Sequence, residues 1–512
     1  MENKTIAKVL IAIILLGAFL RFHDIGKESF WSDEIGTVLV TQQAPSEIVH
    51  DIYTTTRHAP HYLKTGGTPP FYYVLANYWT KLVGLSEARL RLLSALLGIM
   101  AIYVIFLAGR LIFNDKVGLI SAFMLSINYI HIDYSQEART YSIGIFLALL
   151  SVYFLMSALK KKKPLYWAGH VISSTLLVYT HYFGVFVLIF EYLFMLVFIK
   201  KYIKYANSIL LSCLGIFILY LPWFPALFRQ ILDKNYLESF LGSRNILYDI
   251  AIIYTQFNSW FTPDLETRIS IRAVYHSLSE FKDINIYGVS LIGIFTMVSV
   301  MLITVLLGTV FLSSVFIKDK KFTFSRLKEE KYIFLLMWFL APIVIPIILT
   351  LIFPKSPVFG FVQYTLFGLP AYIIILSNGL MKIKKYLAVL VILAMLSILP
   401  LNSLYSNAGK QEWREVGKYL NDNREGSEFI AVNKDNHVFP LNYYYKRMQN
   451  VEGVKNPEEF MSKIGKPRKF ILVYSSESFG DPKGELKNYL DANYRITKKV
   501  EFTGIKVFHY SR

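Results

Sequence analysis

The sequence predicts a polytopic α-helical membrane protein of about eleven spans, with a small C-terminal α/β domain. Hydrophobic residues make up 54% of the 512 residues and charged residues only 18%, whereas soluble domains carry about 25% charged residues. Short lysine clusters separate long apolar runs, which is typical of the loops that orient membrane helices. Together these observations favour a chain that crosses a bilayer many times.

Each predicted span is an apolar stretch close to the ~20 residues that a helix needs to cross the hydrocarbon core. The stretch 288–317 is long for one helix and short for two, so we interpret it as one tilted or extended helix. The predicted spans lie near 6–22, 89–109, 117–133, 141–158, 164–182, 183–199, 206–227, 288–317, 332–352, 362–381 and 387–405.

The basic loops predict the orientation of the spans. Lysine-rich connections such as Lys160 to Lys163 alternate with connections whose basic residues are only Arg139 and Lys355, and the positive-inside rule places the lysine-rich ones in the cytoplasm. The sequence after the first span, Arg21-Phe22-His23-Asp24, offers no signal-peptide cleavage site, so we expect that span to be retained. We therefore expect a multi-pass protein of the cytoplasmic (plasma) membrane, with a cytoplasmic N-terminus and an extracytoplasmic C-terminal domain.

Two domains are predicted. The tail alternates helical patterns, such as Trp413 to Leu420, with strand-like patterns, such as Phe429 to Val432, which is typical of an α/β domain. The domains are a transmembrane domain 1–405, with outer loops 23–88 and 228–287, and an extracytoplasmic α/β domain 406–512.

The first outer loop is predicted to contain amphipathic helices. Ser32 or Asp33 can cap one helix, and Pro45 can start another. From Phe71 to Gly84, paired apolar residues recur at helical spacing, with Tyr73, Asn77, Thr80 and Lys81 opposite. We interpret this segment as a helix in the outer interface, because a crossing here would invert every later lysine cluster.

The acidic pair in Trp31-Ser32-Asp33-Glu34 is the leading candidate for chemistry. It follows the first span by a few residues, where the chain is expected to emerge on the outer side. Two adjacent carboxylates at a bilayer edge offer a proton acceptor or a cation site to a lipid-borne substrate. The alternative is an ordinary solvated helix start.

Further polar residues are predicted on the same side of the membrane, and ionisable groups at membrane depth are usually functional. Carboxylates with cations suit a reaction on a phosphate-linked lipid, because a carboxylate can accept the proton of an attacking hydroxyl while cations stabilise the departing phosphate. Five of these residues also have a structural alternative: a salt bridge between Glu137 and Arg139, headgroup contacts for Arg89 and Arg91, and simple packing for His181. The set is Arg89, Arg91, Glu137, Arg139, His181 and Lys355.

Six motifs in order resemble the multi-spanning glycosyltransferases of the GT-C fold, and most closely family 39. That family includes protein O-mannosyltransferases and polyprenyl-phosphate-sugar enzymes, and the aminoarabinose transferase of lipid A is a more distant relative. The likeness is strongest over residues 20–185 and weak in the tail. The motifs are Trp31-Ser32-Asp33-Glu34, Thr68-Pro69-Pro70-Phe71-Tyr72-Tyr73, Ala88-Arg89-Leu90-Arg91-Leu92-Leu93-Ser94-Ala95, Tyr134-Ser135-Gln136-Glu137-Ala138-Arg139, Thr180-His181-Tyr182-Phe183-Gly184 and Gln411-Glu412-Trp413-Arg414-Glu415.

The resemblance implies an inverting transfer of a hexosyl or pentosyl group from a polyprenyl-phosphate sugar to an acceptor hydroxyl on the outer face. Asp33 matches the family's first-loop acid and is assigned as general base, with Glu34 supporting the base or binding metal. Glu137 occupies the second-loop acidic position, which shapes the acceptor or phosphate site. The implied partners are the lipid-linked donor, membrane lipids, and a lipid, glycan or protein acceptor.

One departure from the family pattern concerns the donor phosphate. Relatives carry an Arg-Tyr pair after the last outer loop, where this chain reads Gln363-Tyr364. Gln supplies no full positive charge, so Lys355 is a candidate to neutralise the phosphate. The expected phosphate-binding set is Arg89, Arg91, Arg139, Lys355, His181, Gln363 and Tyr364. No cofactor is required, and the adjacent carboxylates Asp33 and Glu34 permit a divalent metal ion without requiring one.

Other functions were weighed against this hypothesis. A net charge of +18 could suggest nucleic acid, but the lysines lie in short clusters between apolar runs, so we expect no nucleic-acid partner. The main alternative is a transporter or flippase of lipid-linked sugars, which would favour repeated halves and charges near the bilayer midplane. A second is a silent sensor whose tail binds a ligand, but a sensor has no need for the acidic pair.

Overall fold

The computed structural model describes most of the chain as two compact units. Unit 1 comprises Met1–His23, Gly67–Leu75 and Arg91–Ser406, and unit 2 comprises Asp24–Gly66, Ala76–Leu90 and Asn407–Arg512. The described residues are 2–54, 68–232, 253, 257, 305–318, 321–324, 329–352, 365–406, 410–424, 426, 428–475, 481 and 484–512. The predicted loop 228–287 and the phosphate-site residues Lys355, Gln363 and Tyr364 lie wholly or largely outside these residues.

Helices form nearly all of unit 1, and strands are concentrated in unit 2. The α-helices are α1 (Asn3–Phe22), α2 (Ser32–Thr41), α3 (Pro45–Thr54), α4 (Phe71–Val83), α5 (Glu87–Ile112), α6 (Asp115–Ile127), α7 (Tyr129–Ser135), α8 (Tyr141–Lys161), α9 (Pro164–Thr180), α10 (Val185–Val197), α11 (Ile199–Tyr202), α12 (Ala206–Tyr220), α13 (Phe224–Leu232), α14 (Val305–Phe316), α15 (Glu330–Ile352), α16 (Leu369–Leu380), α17 (Tyr386–Ser406), α18 (Trp413–Asn423), α19 (Val438–Tyr444), α20 (Pro457–Lys463) and α21 (Glu485–Asn493). The strands are β1 (Ile317–Lys318), β2 (Lys321–Phe322), β3 (Phe429–Val432), β4 (Val451–Gly453), β5 (Lys469–Ser475), β6 (Arg495–Phe502) and β7 (Ile505–Ser511).

Within the described part of the chain, five helical stretches are long and apolar enough to cross a membrane. Shorter apolar helices, including Tyr182–Val197 and Leu366–Leu380, occupy several of the other predicted spans. The total of about eleven spans therefore stays a prediction. The five stretches are Asn3–Phe22, Glu87–Ile112, Tyr141–Lys161, Ile199–Gln230 and Glu330–Ile352.

The predicted span near 117–133 is interrupted. The chain is extended at Asn128 (φ −70°, ψ 116°), and the Asn128 side chain accepts a 3.1 Å hydrogen bond from the His131 N–H, so α6 ends and α7 begins there. Arg21, fully buried, donates to the backbone carbonyls of Leu125 and Ser126 over 3.1 and 3.0 Å. These bonds satisfy two carbonyls that the helix end leaves without intrahelical partners.

Helix α3 begins at Pro45, as the sequence predicts. The predicted cap of α2 was wrong, because Trp31 is the N-cap, without a side-chain capping hydrogen bond, and Ser32 and Asp33 lie inside the first turn. The buried side of α4 includes a polar residue, and its exposed side includes apolar residues. Asn77 is only 1% exposed, whereas the apolar Tyr78 and Leu82 are 58% and 79% exposed. Asn77 lies inside because its amide donates 2.8 Å hydrogen bonds to the carbonyls of Thr41 and Gln43 at the end of α2.

The tail forms a three-layer α/β structure, as its alternating patterns predict. The sheet order is β4-β3-β5-β7-β6, with β3 parallel to β4 and β5, and with β7 antiparallel to β5 and β6. Successive residues of β5 point to opposite faces, so Ile471 packs with Trp413 of α18 and Phe470 packs with Phe460 of α20. Both faces of β5 are therefore buried.

Candidate active site

The two acids of the first loop occupy different environments in unit 2. Asp33 and Glu34 lie in the first turn of α2, where the helix dipole favours negative side chains. Neighbouring helical residues point about 100° apart, because a turn contains 3.6 residues. Asp33 is exposed, whereas Glu34 is 0% exposed. Only Asp33 of this pair is therefore placed to meet a substrate from solvent or membrane surface.

Glu34 forms a buried ion pair with the tail. Its Oε2 lies 4.0 Å from Nζ of Lys410, whose side chain is only 10% exposed. The same ammonium lies 4.0 Å from Glu28, and the Lys410 backbone N–H donates to Oε1 of Glu28 over 3.2 Å. One lysine therefore lies within ion-pair distance of two carboxylates of the first loop.

Gln411 holds the acidic segment by further hydrogen bonds. The Ser29 hydroxyl donates to the Gln411 carbonyl over 2.7 Å, and the Ser32 hydroxyl donates to Gln411 Oε1 over 3.1 Å. The Trp413 indole N–H also donates to Oε1, over 2.9 Å, and so orients the amide. The motif that begins at Gln411 thus fixes the start of α2.

Tyr444 joins three parts of unit 2. Its hydroxyl accepts a 2.7 Å hydrogen bond from the Phe30 N–H and donates one of 2.8 Å to Glu87. Arg414 lies 3.6 Å from the same Glu87 carboxylate and donates to the Lys27 carbonyl over 2.6 Å. Burial raises the pKa of Tyr444, the hydrogen bond from the Phe30 N–H lowers it by less, and the Glu87 carboxylate raises it further, so the hydroxyl keeps the proton that it donates.

The carboxyl ends of the parallel strands β3 and β5 contribute a cation near the acid. Lys434 follows β3, and its ammonium is close enough to Asp33 for the two charges to interact. Burial lowers the pKa of Lys434, while the charge of Asp33 acts in the opposite direction. Ligands of α/β sheets commonly bind at this edge.

The edge is closed by side-chain hydrogen bonds. Asn433 donates to the Ser475 carbonyl over 2.8 Å and accepts from the Ser475 N–H over 2.9 Å. Ser475 Oγ and His437 Nδ1 share a hydrogen bond of 2.6 Å. Burial, and then the charge of Lys434, lower the pKa of His437 to about 3. The imidazole is therefore neutral near pH 7, and Lys434 is the cation of this edge near Asp33.

Unit 1 contains the second predicted acidic motif. Glu137 and Gln136 are buried, and Gln136 donates to the carbonyls of Arg21 and His23 over 3.1 and 2.8 Å at the end of α1. Gln136 is thus a helix cap that the sequence did not reveal. The Arg139 N–H donates to the Glu137 carbonyl over 2.9 Å, which closes the predicted turn.

His181 is placed mainly as a packing residue. It is buried, and its Nδ1 accepts a 3.2 Å hydrogen bond from the Phe183 N–H. Its ring lies 5.4 Å from Phe183 and 5.7 Å from Phe367. Arg139 is close enough for its charge to act on the ring. These contacts favour the packing interpretation of His181 over the ligand interpretation.

The remaining candidates separate by exposure. Arg89 is exposed and Arg91 is buried, because residues two apart on a helix point to nearly opposite sides. Glu191 of α10 is buried and accepts hydrogen bonds of 2.8 and 3.1 Å from Ser151.

The residues favour no shared metal site at the acidic pair. Divalent cations such as Mg²⁺ and Ca²⁺ take several convergent oxygen ligands, whereas Asp33 is exposed and Glu34 is turned into an ion pair with Lys410. Among the residues that the structure describes, no three His, Cys, Asp or Glu side chains come together as a metal-binding group.

Sequence reasoning missed Lys410, Lys434 and Tyr444. Lys410 directly precedes the Gln411 motif, and Lys434 follows a predicted strand, so the neighbouring sequence could have marked both lysines as candidates. Their partners lie hundreds of residues earlier in the chain, and no periodicity records such a pairing.

Comparisons with known proteins agree with this architecture. A family model described as dolichyl-phosphate-mannose-protein mannosyltransferase matches residues 67–225. No curated protein sequence matches the chain. The apo oligosaccharyltransferase of Archaeoglobus fulgidus is 14% identical, with a TM-score of 0.53 over 93% of this chain and 70% of that one.

Two further structures are similar at lower scores. ArnT of Cupriavidus metallidurans bound to undecaprenyl phosphate is 11% identical, with a TM-score of 0.48 over 98% of this chain and 97% of that one. The S. cerevisiae Pmt1-Pmt2 complex bound to its sugar donor is 15% identical, with a TM-score of 0.33 over 45% of this chain and 33% of that one. At such identities a likeness extends to the fold alone, and the archaeal match exceeds a TM-score of 0.5. The chain therefore has the GT-C fold of multi-spanning membrane glycosyltransferases.

Proposed function

We propose that this protein is a glycosyltransferase that moves a sugar from a polyprenyl-phosphate-linked donor to an acceptor hydroxyl, with inversion at the sugar carbon. The observation that carries the proposal is the exposure of Asp33 in the first turn of α2, beside a buried and ion-paired Glu34. The GT-C fold supports the same class of reaction, and the description of the matched family model supports a lipid-phosphate donor.

Asp33 is the general base of the proposed reaction. Its carboxylate accepts the proton of the acceptor hydroxyl while the oxygen forms a bond to the anomeric carbon. The bond between that carbon and the phosphate oxygen breaks, and its electron pair stays on the departing polyprenyl phosphate. That phosphate needs no proton, so a second catalytic acid is unnecessary. Glu137 shapes the acceptor or phosphate site.

Cations stabilise the phosphate as its charge grows. Arg89 is exposed and can contact the phosphate group of the lipid-linked donor at the surface. Arg91 is buried, so the donor phosphate must enter the protein to contact it. The other proposed contributors are Arg139, Lys355, Gln363 and Tyr364. Lys355 is the strongest of these, because it supplies the charge that Gln363 lacks.

The proposed location is the cytoplasmic membrane, with the reaction on its outer face. The lysine clusters support this orientation through the positive-inside rule. The acceptor is a protein, lipid or glycan hydroxyl. The archaeal oligosaccharyltransferase with a tethered acceptor peptide is similar in fold, which keeps a peptide acceptor among the candidates.

The test is sugar transfer by membranes that contain the protein. Membranes with wild type, Asp33→Asn or the control Asp422→Asn are incubated with a panel of radiolabelled polyprenyl-phosphate sugars, and the product is identified. Asp422 is an exposed carboxylate of α18 in the same unit. We expect Asp33→Asn to lower transfer at least ~100-fold, the usual contribution of a general base, with normal expression and folding. Asp422→Asn should transfer like wild type.

The outcomes separate the alternatives. Asp33→Asn activity within a few fold of wild type would remove Asp33 from the base role. Absence of any product from wild type would contradict the enzyme class. Movement of intact donor across the bilayer without transfer would favour a transporter or flippase.

A further inference from the structure

We propose that Lys410 is a positioning residue for the first-loop acid: its ammonium holds Glu34 in a buried ion pair and so fixes α2 with Asp33 on its exposed side. The inference rests on the proposed function, because it explains how Asp33 is presented to a substrate. It also gives Glu34 a new role, as the charge partner of Lys410 rather than as a second catalytic acid or a metal ligand.

Burial makes the pairing of Glu34 and Lys410 mutually necessary. The Glu34 side chain is fully buried, and Lys410 is nearly so, at a separation of 4.0 Å. A carboxylate that is taken out of water is costly unless a cation or hydrogen-bond donors compensate for its lost hydration. Lys410 supplies that compensation and extends it to Glu28.

The ion pair of Glu34 and Lys410 also determines the direction of the Asp33 side chain. The two acids are consecutive on α2, so a fixed Glu34 sets the rotation of the helix about its axis and thereby the direction of Asp33. Gln411, the next residue after Lys410, holds the hydroxyl of Ser32 at the first position of the same helix. Two consecutive tail residues thus hold two residues that flank Asp33.

Catalysis is sensitive to such positioning. A displacement of about 1 Å in a reacting group can lower a rate by about 100-fold. Loss of the Lys410 charge removes a cation from beside the buried Glu34 carboxylate, which favours a rotation of the helix toward water. Removal of both charges together leaves no charge at position 34 to rehydrate, and Glu28, which is more exposed, keeps its hydrogen bond from the Lys410 backbone N–H, so α2 can keep its orientation.

The experiment compares transfer kinetics and melting temperature for the full-length protein in detergent. The test variants are Lys410→Met, Glu34→Gln, the double variant and the conservative Lys410→Arg. The control is Lys466→Met, because Lys466 is an exposed lysine of the same unit. We expect Lys410→Met to lower kcat at least ~10-fold, with little change in the KM for donor, as for a misplaced base. The double variant should recover to within ~3-fold of wild type, and Lys410→Arg should recover in part.

The controls distinguish positioning from other roles. Asp33→Asn added to the double variant should abolish transfer again, because the recovered activity depends on the same base. A double variant as inactive as Glu34→Gln would show that Glu34 acts on substrate itself and would overturn the inference. Equal activity of Lys410→Met and Lys466→Met would also overturn it.

Failure of the proposed function remains distinguishable. If wild type transfers no sugar, the melting temperatures of the two single variants and the double variant still form a double-mutant cycle. If the double variant loses less stability than the two single variants lose together, the result supports the ion pair as the element that fixes α2. Additive losses overturn it, whatever the reaction.

Discussion

The Tyr444 hydroxyl donates a 2.8 Å hydrogen bond to Glu87 and accepts a 2.7 Å hydrogen bond from the Phe30 N–H, so one side chain joins the tail to two earlier segments of unit 2. Phe30 is fully buried. Tyr444 therefore provides a hydrogen-bond acceptor for a backbone N–H that lies away from water.

Tyr444→Phe should destabilise the protein by about 1–3 kcal/mol, because a buried N–H donor loses its acceptor. Transfer should also fall, since Phe30 lies three residues before Asp33. Thermal unfolding and sugar transfer of the purified full-length protein measure the two effects. Tyr443→Phe is the matched control, because it keeps the ring that packs 5.7 Å from Phe30. Equal losses for the two variants would contradict the specific role of Tyr444.

Arg21 offers a test of the break between α6 and α7. Arg21→Ala should lower the free energy of unfolding by about 3 kcal/mol or more, because buried carbonyls of Leu125 and Ser126 lose a charged donor. Arg110→Ala is the control, since its ion pair with Asp115 is about half exposed and such pairs contribute about 0–1 kcal/mol. Unfolding curves in detergent would compare them. A loss no larger than that of Arg110→Ala would show that α6 ends without help from Arg21.

Local sequence patterns predicted the elements whose formation depends mainly on neighbouring residues. Strand β3 matches the predicted run Phe429 to Val432, and α3 begins at Pro45, which suits the first position of a helix. Strand β6 was not predicted, because it is an exposed edge strand rich in charged residues and lacks an apolar alternation.

Contacts between residues far apart in the sequence could not be predicted, because they depend on how the chain folds. Asn77 reads as polar surface, yet it is buried because α2 ends with carbonyls that need a donor. Glu34 reads as a second surface acid, yet Lys410 makes its burial tolerable. Asp33 could be singled out from its motif, whereas its supporting residues required the fold.

The burial of His437 predicts a loss of stability in mild acid. Burial lowers the pKa of His437 from 6.5 to about 3 in the folded protein. The unfolded chain therefore binds a proton that the folded chain does not, and stability falls as the pH drops below 6.5 by at most about 1.4 kcal/mol per pH unit. Melting temperatures of wild type and His437→Gln at pH 7.5 and 5.5 test this. A decline of the same size in His437→Gln would assign the acid sensitivity to other groups.

Lys355 lies outside the described residues, so its prediction comes from the sequence alone. Lys355→Ala should weaken the use of donor more than the use of acceptor, because the missing charge would have neutralised the donor phosphate. The KM values for donor and acceptor, measured separately, decide the matter. Equal effects on both would argue against a phosphate contact.

Membrane sidedness gives the last prediction, because the proposed outer-face reaction needs positions 33 and 139 in the same compartment. The one cysteine of the chain, Cys213, is replaced by serine, and single cysteines are then placed at positions 33, 139 and 162. Position 162 lies in an exposed lysine cluster that the positive-inside rule assigns to the cytoplasm. A membrane-impermeant maleimide added to intact cells should label positions 33 and 139, and should label position 162 only after permeabilisation. Labelling of 33 and 139 from opposite sides would contradict the predicted topology and, with it, the placement of the two acidic motifs on one face.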